Sequence, residues 1–262
     1  MVDVLEFGAY GEAIGNAGSV VRSNAASAGL RAGVPTCPGW SVADLVTHVG
    51  MVHRWATAIV TAAEPRPDAE VRGEATAAAD LLEWFDDGMV GLLNALAQSP
   101  ADLDVRFFLP DAPAPRLAWA RRQAHETTIH GVDAMAARLG RPPTGAEVWM
   151  TPSLAADGLD ELLTGFAPRR RYALTSDKVV RALVAPTDAD RAWLVETSPE
   201  GTRATRVAGR RQGADATDAD TVVTGTARQL YLALWNRGSE VEESGAPGWL
   251  AAWAARVRVS WT

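Results

Sequence analysis

The apolar positions of the first half of the chain recur at helical spacing. Residues 8–30, rich in alanine and with Gly29 near the end, carry such a pattern. Val34-Pro-Thr-Cys-Pro-Gly-Trp40 interrupts it, because Pro35 and Pro38 cannot continue a helix. Ser41 restarts it, with Asp44 three positions on, a capping-box arrangement ahead of an apolar run. A second helix is therefore expected over about residues 41–63. Glu64-Pro-Arg-Pro-Asp68 reads as a linker. A third helix is expected over 75–98, with Leu81, Leu82, Phe85, Val90, Leu92, Leu93 and Leu96 on its apolar face. After the rigid connector Leu109-Pro-Asp-Ala-Pro-Ala-Pro115, a fourth helix is expected over 117–139, stopped at Gly140 with Pro142 beyond. Four long amphipathic helices with short connections predict a four-helix bundle.

Beyond Pro152 the pattern mixes periods. Helices are expected over 154–165, 226–235 and 249–256, and short strands over 172–176, 192–196, 202–207 and 221–224. Turn signals at Ser198-Pro-Glu-Gly201 and over 213–220 separate the strands. A boundary near residues 145–152 follows, giving an all-α domain over 1–148 and an α+β domain over 149–262.

Composition narrows the function classes. Apolar residues make up 47% and charged residues 22%, an ordinary globular balance. The net charge of −7, from 25 basic against 32 acidic residues, argues against a general nucleic-acid binder. Arg121-Arg122, Arg169-Arg170-Arg171 and Arg210-Arg211 are accordingly read as solvated surface. The amino terminus lacks a basic segment followed by an apolar one, so no secretory signal is expected. No run of about 18 uncharged apolar residues predicts a membrane span. Cys37 is the single cysteine, which excludes an intramolecular disulfide and a cysteine-based zinc cluster and fits a reducing cytoplasm.

Imidazole chemistry must come from His48, His53, His125 and His130. Residues 125–133 read His-Glu-Thr-Thr-Ile-His-Gly-Val-Asp. On a helix, residues four apart share a face, so Glu126 and His130 point the same way and Asp133 lies beside His130. His125 is about one hundred degrees off that face. The string is not the zincin motif, because Ile129 stands where its second histidine would be. Glu126 and His130 alone leave a divalent metal under-coordinated, and His48 is the natural third ligand. Two histidines and a carboxylate with an open fourth position is the pattern of a catalytic zinc site. The plainer alternatives are an ordinary helix histidine at His48 and an i, i+4 surface pair at Glu126/His130. Asp44 can cap its own helix or bond His48, and Asp133 can bond His130. His53 falls off the face of His48, and Cys37, Trp40 and Trp55 read as packing residues, with Cys37 beneath Trp40.

The stretch Val34-Pro-Thr-Cys-Pro-Gly-Trp-Ser-Val-Ala-Asp-Leu-Val-Thr-His48, followed by Gly50 and His53-Arg54-Trp55, resembles the opening motif of the mycothiol-dependent maleylpyruvate isomerase family. That family belongs to the DinB-like four-helix metalloproteins. His125-Glu126 through His130 and Asp133 resembles its second motif. Asp157-Gly158 and the run Val223 to Gly238 resemble its carboxy-terminal, sterol-carrier-protein-like α+β domain. The resemblance implies a metal, zinc by preference, on His48, Glu126 and His130, with mycothiol as cosubstrate and an electrophilic small molecule as substrate. It implies a contact from Arg237 to a substrate carboxylate and a similar role for Arg54. Asp133 is the candidate general base. A helix-terminus role for Arg237 beside Gly238 is the competing reading. Gly131 departs from the family, which often carries arginine there.

The resemblance implies an enzyme that adds a thiol to an electrophilic carbon. If the thiol leaves again after rotation about a cis double bond, the enzyme is an isomerase. If it stays, the enzyme is an S-transferase. The alternatives are a non-catalytic metal- or ligand-binding regulatory module of the same fold, and a hydrolase using metal-bound water. Partners of the nucleic-acid and membrane classes are not expected.

Overall fold

The computed structural model describes residues 4–208 and 218–259. The turn expected over 213–220 falls largely outside them, as do Arg210 and Arg211. The chain divides into two compact units. The first comprises Met1–Phe108 with Ala112–Pro143, and the second comprises Leu109–Asp111 with Thr144–Thr262.

The first unit is helical: α1 (Phe7–Ala28), α2 (Val42–Val60), α3 (Asp68–Ala77), α4 (Leu81–Gln98) and α5 (Pro115–Leu139). The ends follow local chemistry. Gly29 leaves α1 at φ 83°, a conformation that favours glycine. Ser41 and Asp44 form a reciprocal capping box at α2, so Asp44 caps its helix. Pro115 occupies the first turn of α5, where its missing N–H costs nothing, and Gly140 ends the helix at φ 70°.

One helix boundary differs from the sequence reading. The third helix does not run from Ala75 to Gln98 but breaks at residues 78–80 into α3 and α4. Ala78 is extended, and the Asp80 carboxylate accepts from the N–H groups of Leu82 and Glu83 at 2.8 and 3.3 Å. That cap starts a new helix where apolar periodicity alone reads as continuous.

Helix α1 packs on α5 and α4, and α2 packs on α4 and α5. The core between them includes Val21, Ala25, Val42, Leu45, Val46, Val49, Phe85 and Ala134, with Val34 from the α1–α2 loop. Arg54 ties α2 to α4: it donates to the carbonyls of Gly50 and Trp84 at 3.1 and 2.6 Å and lies 3.7 Å over the Trp84 ring. Helix α5 is buried at every position from Ala118 to Ala136. Arg121 and Arg122 are therefore interior, 3% and 0% exposed, and not solvated surface. Charge balance along the sequence carries no information about which arginines an enclosed helix takes inward.

The second unit holds α6 (Pro152–Asp160), a π-helical turn (Glu161–Phe166), strands β1 (Val180–Pro186), β2 (Arg191–Ser198), β3 (Gly201–Ala208) and β4 (Thr221–Gly225), then α7 (Ala227–Leu234), β5 (Glu242–Gly245) and α8 (Trp249–Arg256). The sheet order is β3-β2-β1-β4-β5, with β1 and β4 parallel and the other pairs antiparallel. The expected turn at Ser198–Gly201 closes the β2–β3 hairpin. Buried Asp160 anchors the sheet to α6. It accepts from Trp193 Nε1 at 2.9 Å and from Arg206 Nε and Nη2 at 2.6 and 2.9 Å.

Residues 172–176 are not a strand. The N–H groups of Tyr172 and Ala173 turn back to the Arg169 carbonyl, and Tyr172, Ala173 and Leu174 are buried outside any ladder. The strand of that region is β1, eight residues further on. The edge strand β5, Glu-Glu-Ser-Gly, has no apolar alternation to betray it. Among the described residues no helix is long and apolar enough to cross a membrane.

Candidate metal centre

His48 lies in the second turn of α2, while Glu126, His130 and Asp133 lie along one stripe of α5. Packing of α2 on α5 brings His48 Nε2 to 3.3 Å from Glu126 Oε1. His130 Nε2 stands 3.4 Å from the same oxygen. One ligand atom from each of His48, Glu126 and His130 falls within 4.8 Å of the others. The side chains are nearly enclosed, 15%, 5% and 9% exposed respectively.

The spacing of Glu126 Oε1 from the two histidine nitrogens is compatible with ligands of one metal ion. Charge-assisted N–H···O bonds run at about 2.7–2.9 Å. Ligands about 2.0–2.1 Å from a tetrahedral zinc stand about 3.3–3.4 Å apart, which is the spacing of Glu126 Oε1 from each histidine nitrogen. The donor set, two imidazoles and one carboxylate, fits a borderline divalent ion.

The surroundings orient these donors. Asp133 Oδ2 lies 2.9 Å from His130 Nδ1. A carboxylate there accepts a hydrogen bond from Nδ1–H, which leaves Nε2 as the ring atom facing Glu126. Arg122 Nη2 donates to Glu126 Oε2 at 3.3 Å, so the two carboxylate oxygens serve opposite sides. Trp40 lies against both imidazoles, with ring centroids 5.0 Å from His48 and 6.2 Å from His130. Cys37 Sγ donates to Asp133 Oδ2 at 3.3 Å.

Burial is the largest influence on Glu126 and favours its neutral form, yet the bonds to His130 and His48 outweigh it and hold the carboxyl well below its usual range. His130 is likewise opposed by burial, but Asp133 and Glu126 raise it to about 9 in the metal-free protein. His48 is lowered by burial, with Glu126 opposing in part. At the site the two histidines favour the ionised form of Glu126, while burial favours the neutral form of His48.

The other sequence candidates sit elsewhere. Arg54 faces α4 and bonds main-chain carbonyls, away from the side of α2 that carries His48. Arg237, in the second unit, donates to the Trp235 carbonyl just past the end of α7. His53 is fully buried, its Nε2 2.9 Å from Thr127 Oγ1, and His125 meets the Tyr10 ring edge-on. Three neighbours of the triad were not assigned from sequence. Arg122 shares the spacing of Glu126 and His130, and its stripe position was a usable signal. Cys37 and Trp40 reach the site from a loop, where helical periodicity gives no signal.

A model of the mycothiol maleylpyruvate isomerase N-terminal domain matches residues 13–135, and a model of the carboxy-terminal domain of the same enzyme family matches residues 153–255. No curated protein matches in sequence. Two solved structures resemble the chain in fold. Both are of a mycothiol-dependent maleylpyruvate isomerase, one of them a histidine-to-alanine mutant. The mutant is 16% identical and the other 15%; each has a TM-score of 0.59 and covers 92% of this chain and 93% of that one. With family models spanning both units, the chain belongs to the mycothiol-dependent maleylpyruvate isomerase family.

Proposed function

We propose that this protein is a metal-dependent enzyme that adds mycothiol, or a closely related low-molecular-weight thiol, to an electrophilic small molecule. Cis–trans isomerisation of an unsaturated acid is the leading reaction and S-transfer the other. The observation that carries this reading is the convergence of His48 Nε2 and His130 Nε2 on one oxygen of Glu126, within a chain of this family. In this reading the first unit is a DinB-like four-helix bundle carrying the site, and the second is a sterol-carrier-protein-like α+β domain. The domains then span residues 1–148 and 149–262.

His48, Glu126 and His130 would hold the metal, zinc by preference. When bound, the metal supplies an acidic centre that lowers the pKa of a coordinated thiol enough to make a nucleophile at neutral pH. Arg122 adds to His130 and His48 in favouring the anionic form of Glu126, and Asp133 holds the His130 ring with Nε2 forward. Enclosure of the triad excludes water, which strengthens its electrostatics and protects a thiolate from protonation. Asp133, already bonded to His130 and Cys37, acts in this scheme by orienting the ligand. Arg237 is retained as the candidate partner of a substrate carboxylate. Arg54 is the candidate cosubstrate contact in this reading, although its bonds to the Gly50 and Trp84 carbonyls serve helix packing.

The test is direct. The purified protein should contain about one divalent metal per chain and should isomerise a cis-unsaturated keto acid only with the thiol present. His48→Ala, Glu126→Ala and His130→Ala should each lose the metal and the activity. Full metal occupancy in all three overturns the site. A metal-loaded protein that ignores both thiol and substrate overturns the enzyme and leaves a binding module.

A further inference from the structure

The loop between α1 and α2 is short, closed and unusually well tied. Val34 N–H donates to the Trp40 carbonyl at 2.9 Å, Cys37 N–H to Val34 at 3.0 Å and Trp40 N–H to Cys37 at 3.0 Å. Gly33 and Ser41 form a β-bridge at its mouth, and the N–H groups of Val42 and Ala43 bond back to Ala32 and Leu30. Buried Val34 pins the loop into the helical core. Two side chains leave this frame toward α5 and α2. The Trp40 indole lies nearly parallel to His130, at 17°, and tilted at 59° over His48. The Cys37 thiol donates to Asp133 Oδ2, the same oxygen that receives His130 Nδ1–H.

We infer that the loop Val34–Trp40 is a positioning element for the metal site, with Trp40 fixing the ring planes of His48 and His130 and Cys37 fixing the Asp133 carboxylate behind His130. This rests on the metal-binding reading above. An imidazole held only through Nδ1 can still rock about that bond, and rocking sweeps Nε2 away from the metal. A stacked indole removes that motion on one side. The Cys37 thiol on the same oxygen that accepts from His130 narrows the orientations left to the Asp133 carboxylate. Preorganisation of this kind lowers the entropy lost when the metal binds. Neither residue is among the proposed ligands, and both act through the groups they hold.

The experiment uses the full-length, metal-stripped protein. Zinc affinity is measured by chelator competition and ligand geometry by the visible absorption spectrum of the cobalt(II)-substituted protein. Asp133→Asn is the comparator, expected to weaken zinc about 10–100-fold. Trp40→Leu and Cys37→Ala are expected to weaken it about tenfold and to shift the cobalt spectrum. Trp40→Phe, which keeps an aromatic face, and Cys37→Ser, which keeps a donor, should recover most of both. If Trp40→Leu does not fold, the contrast between Cys37→Ala and Cys37→Ser carries the test. Wild-type affinity and an unchanged cobalt spectrum in Cys37→Ala, and in Trp40→Leu where it folds, with Asp133→Asn weakened, overturn the loop's role alone. Failure of the wild-type protein to bind either metal overturns the site reading and this inference with it.

Discussion

Arg122 and Glu126 sit one turn apart on α5, both interior, with Arg122 Nη2 3.3 Å from Glu126 Oε2 while Glu126 Oε1 faces the two histidines. One carboxylate therefore has two separate electrostatic partners. Replacing Arg122 by methionine leaves Glu126 enclosed without its permanent cation, and breaking a buried pair this way costs about 3–5 kcal/mol. Chemical denaturation of metal-free Arg122→Met should show a loss of that order. Saturating zinc should restore part of it, because a bound cation takes over the compensation and stabilises the folded state by mass action.

Acid should destabilise the protein through His53. Burial pulls this histidine from the usual 6.5 down to about 3, with Glu126 opposing only in part. A depressed histidine favours the folded state fully above its unfolded pKa. As pH falls through 6.5 the unfolded chain takes up a proton that the folded protein refuses until about 3. Stability should therefore fall over that window, by up to about 1.4 kcal/mol per pH unit from this group. Denaturation across this pH range should give a shallower acid slope for His53→Gln, which can still donate to Thr127, than for the wild type.

Two interior glycines should respond in opposite ways. A methyl group on Gly50 would collide with the ring of Trp84, which is held beneath the Arg54 guanidinium. A methyl group on Gly18 would meet only the mobile end of Met89. Gly50→Ala should lower stability by about 1–3 kcal/mol. Gly18→Ala should be near neutral, since up to about 1 kcal/mol gained in helix propensity offsets the shift of Met89. Thermal melts of the two variants decide this, and equal losses would contradict it.

Arg206→Met should weaken the second unit. Asp160 is fully buried and takes two hydrogen bonds from Arg206 and one from Trp193 Nε1. A loss of about 3–5 kcal/mol is expected on denaturation. Double substitution of Asp160→Asn with Arg206→Met should cost less than the sum of the two, as for any pair coupled through one contact.

The helix termini of the first unit could be read because their causes are local. Ser41/Asp44, Pro115 and Gly140 act within a few residues of themselves. The break at residues 78–80 was missed because Asp80 works as a cap only once Ala78 turns extended, while the apolar spacing runs on across it. Strand β1 was misplaced onto residues 172–176 because Tyr172, Ala173 and Leu174 are buried like strand residues but lack a partner strand. In the site, the α5 stripe was legible from spacing, and His48 from its chemistry and motif.

What the sequence by itself determined is the set of local geometries: where α2 and α5 begin, and that Glu126, His130 and Asp133 share one face. Helical periodicity and capping need no information from elsewhere in the chain. Only the tertiary structure decided that His48, 78 positions before Glu126, shares its oxygen with His130. Only it turned Arg122 inward and carried Trp40 onto the histidines and Cys37 onto Asp133 from one proline-containing loop. Those contacts depend on how α2 packs on α5 and how the loop closes over both, and such packing is set by burial across distant segments, which no local pattern records.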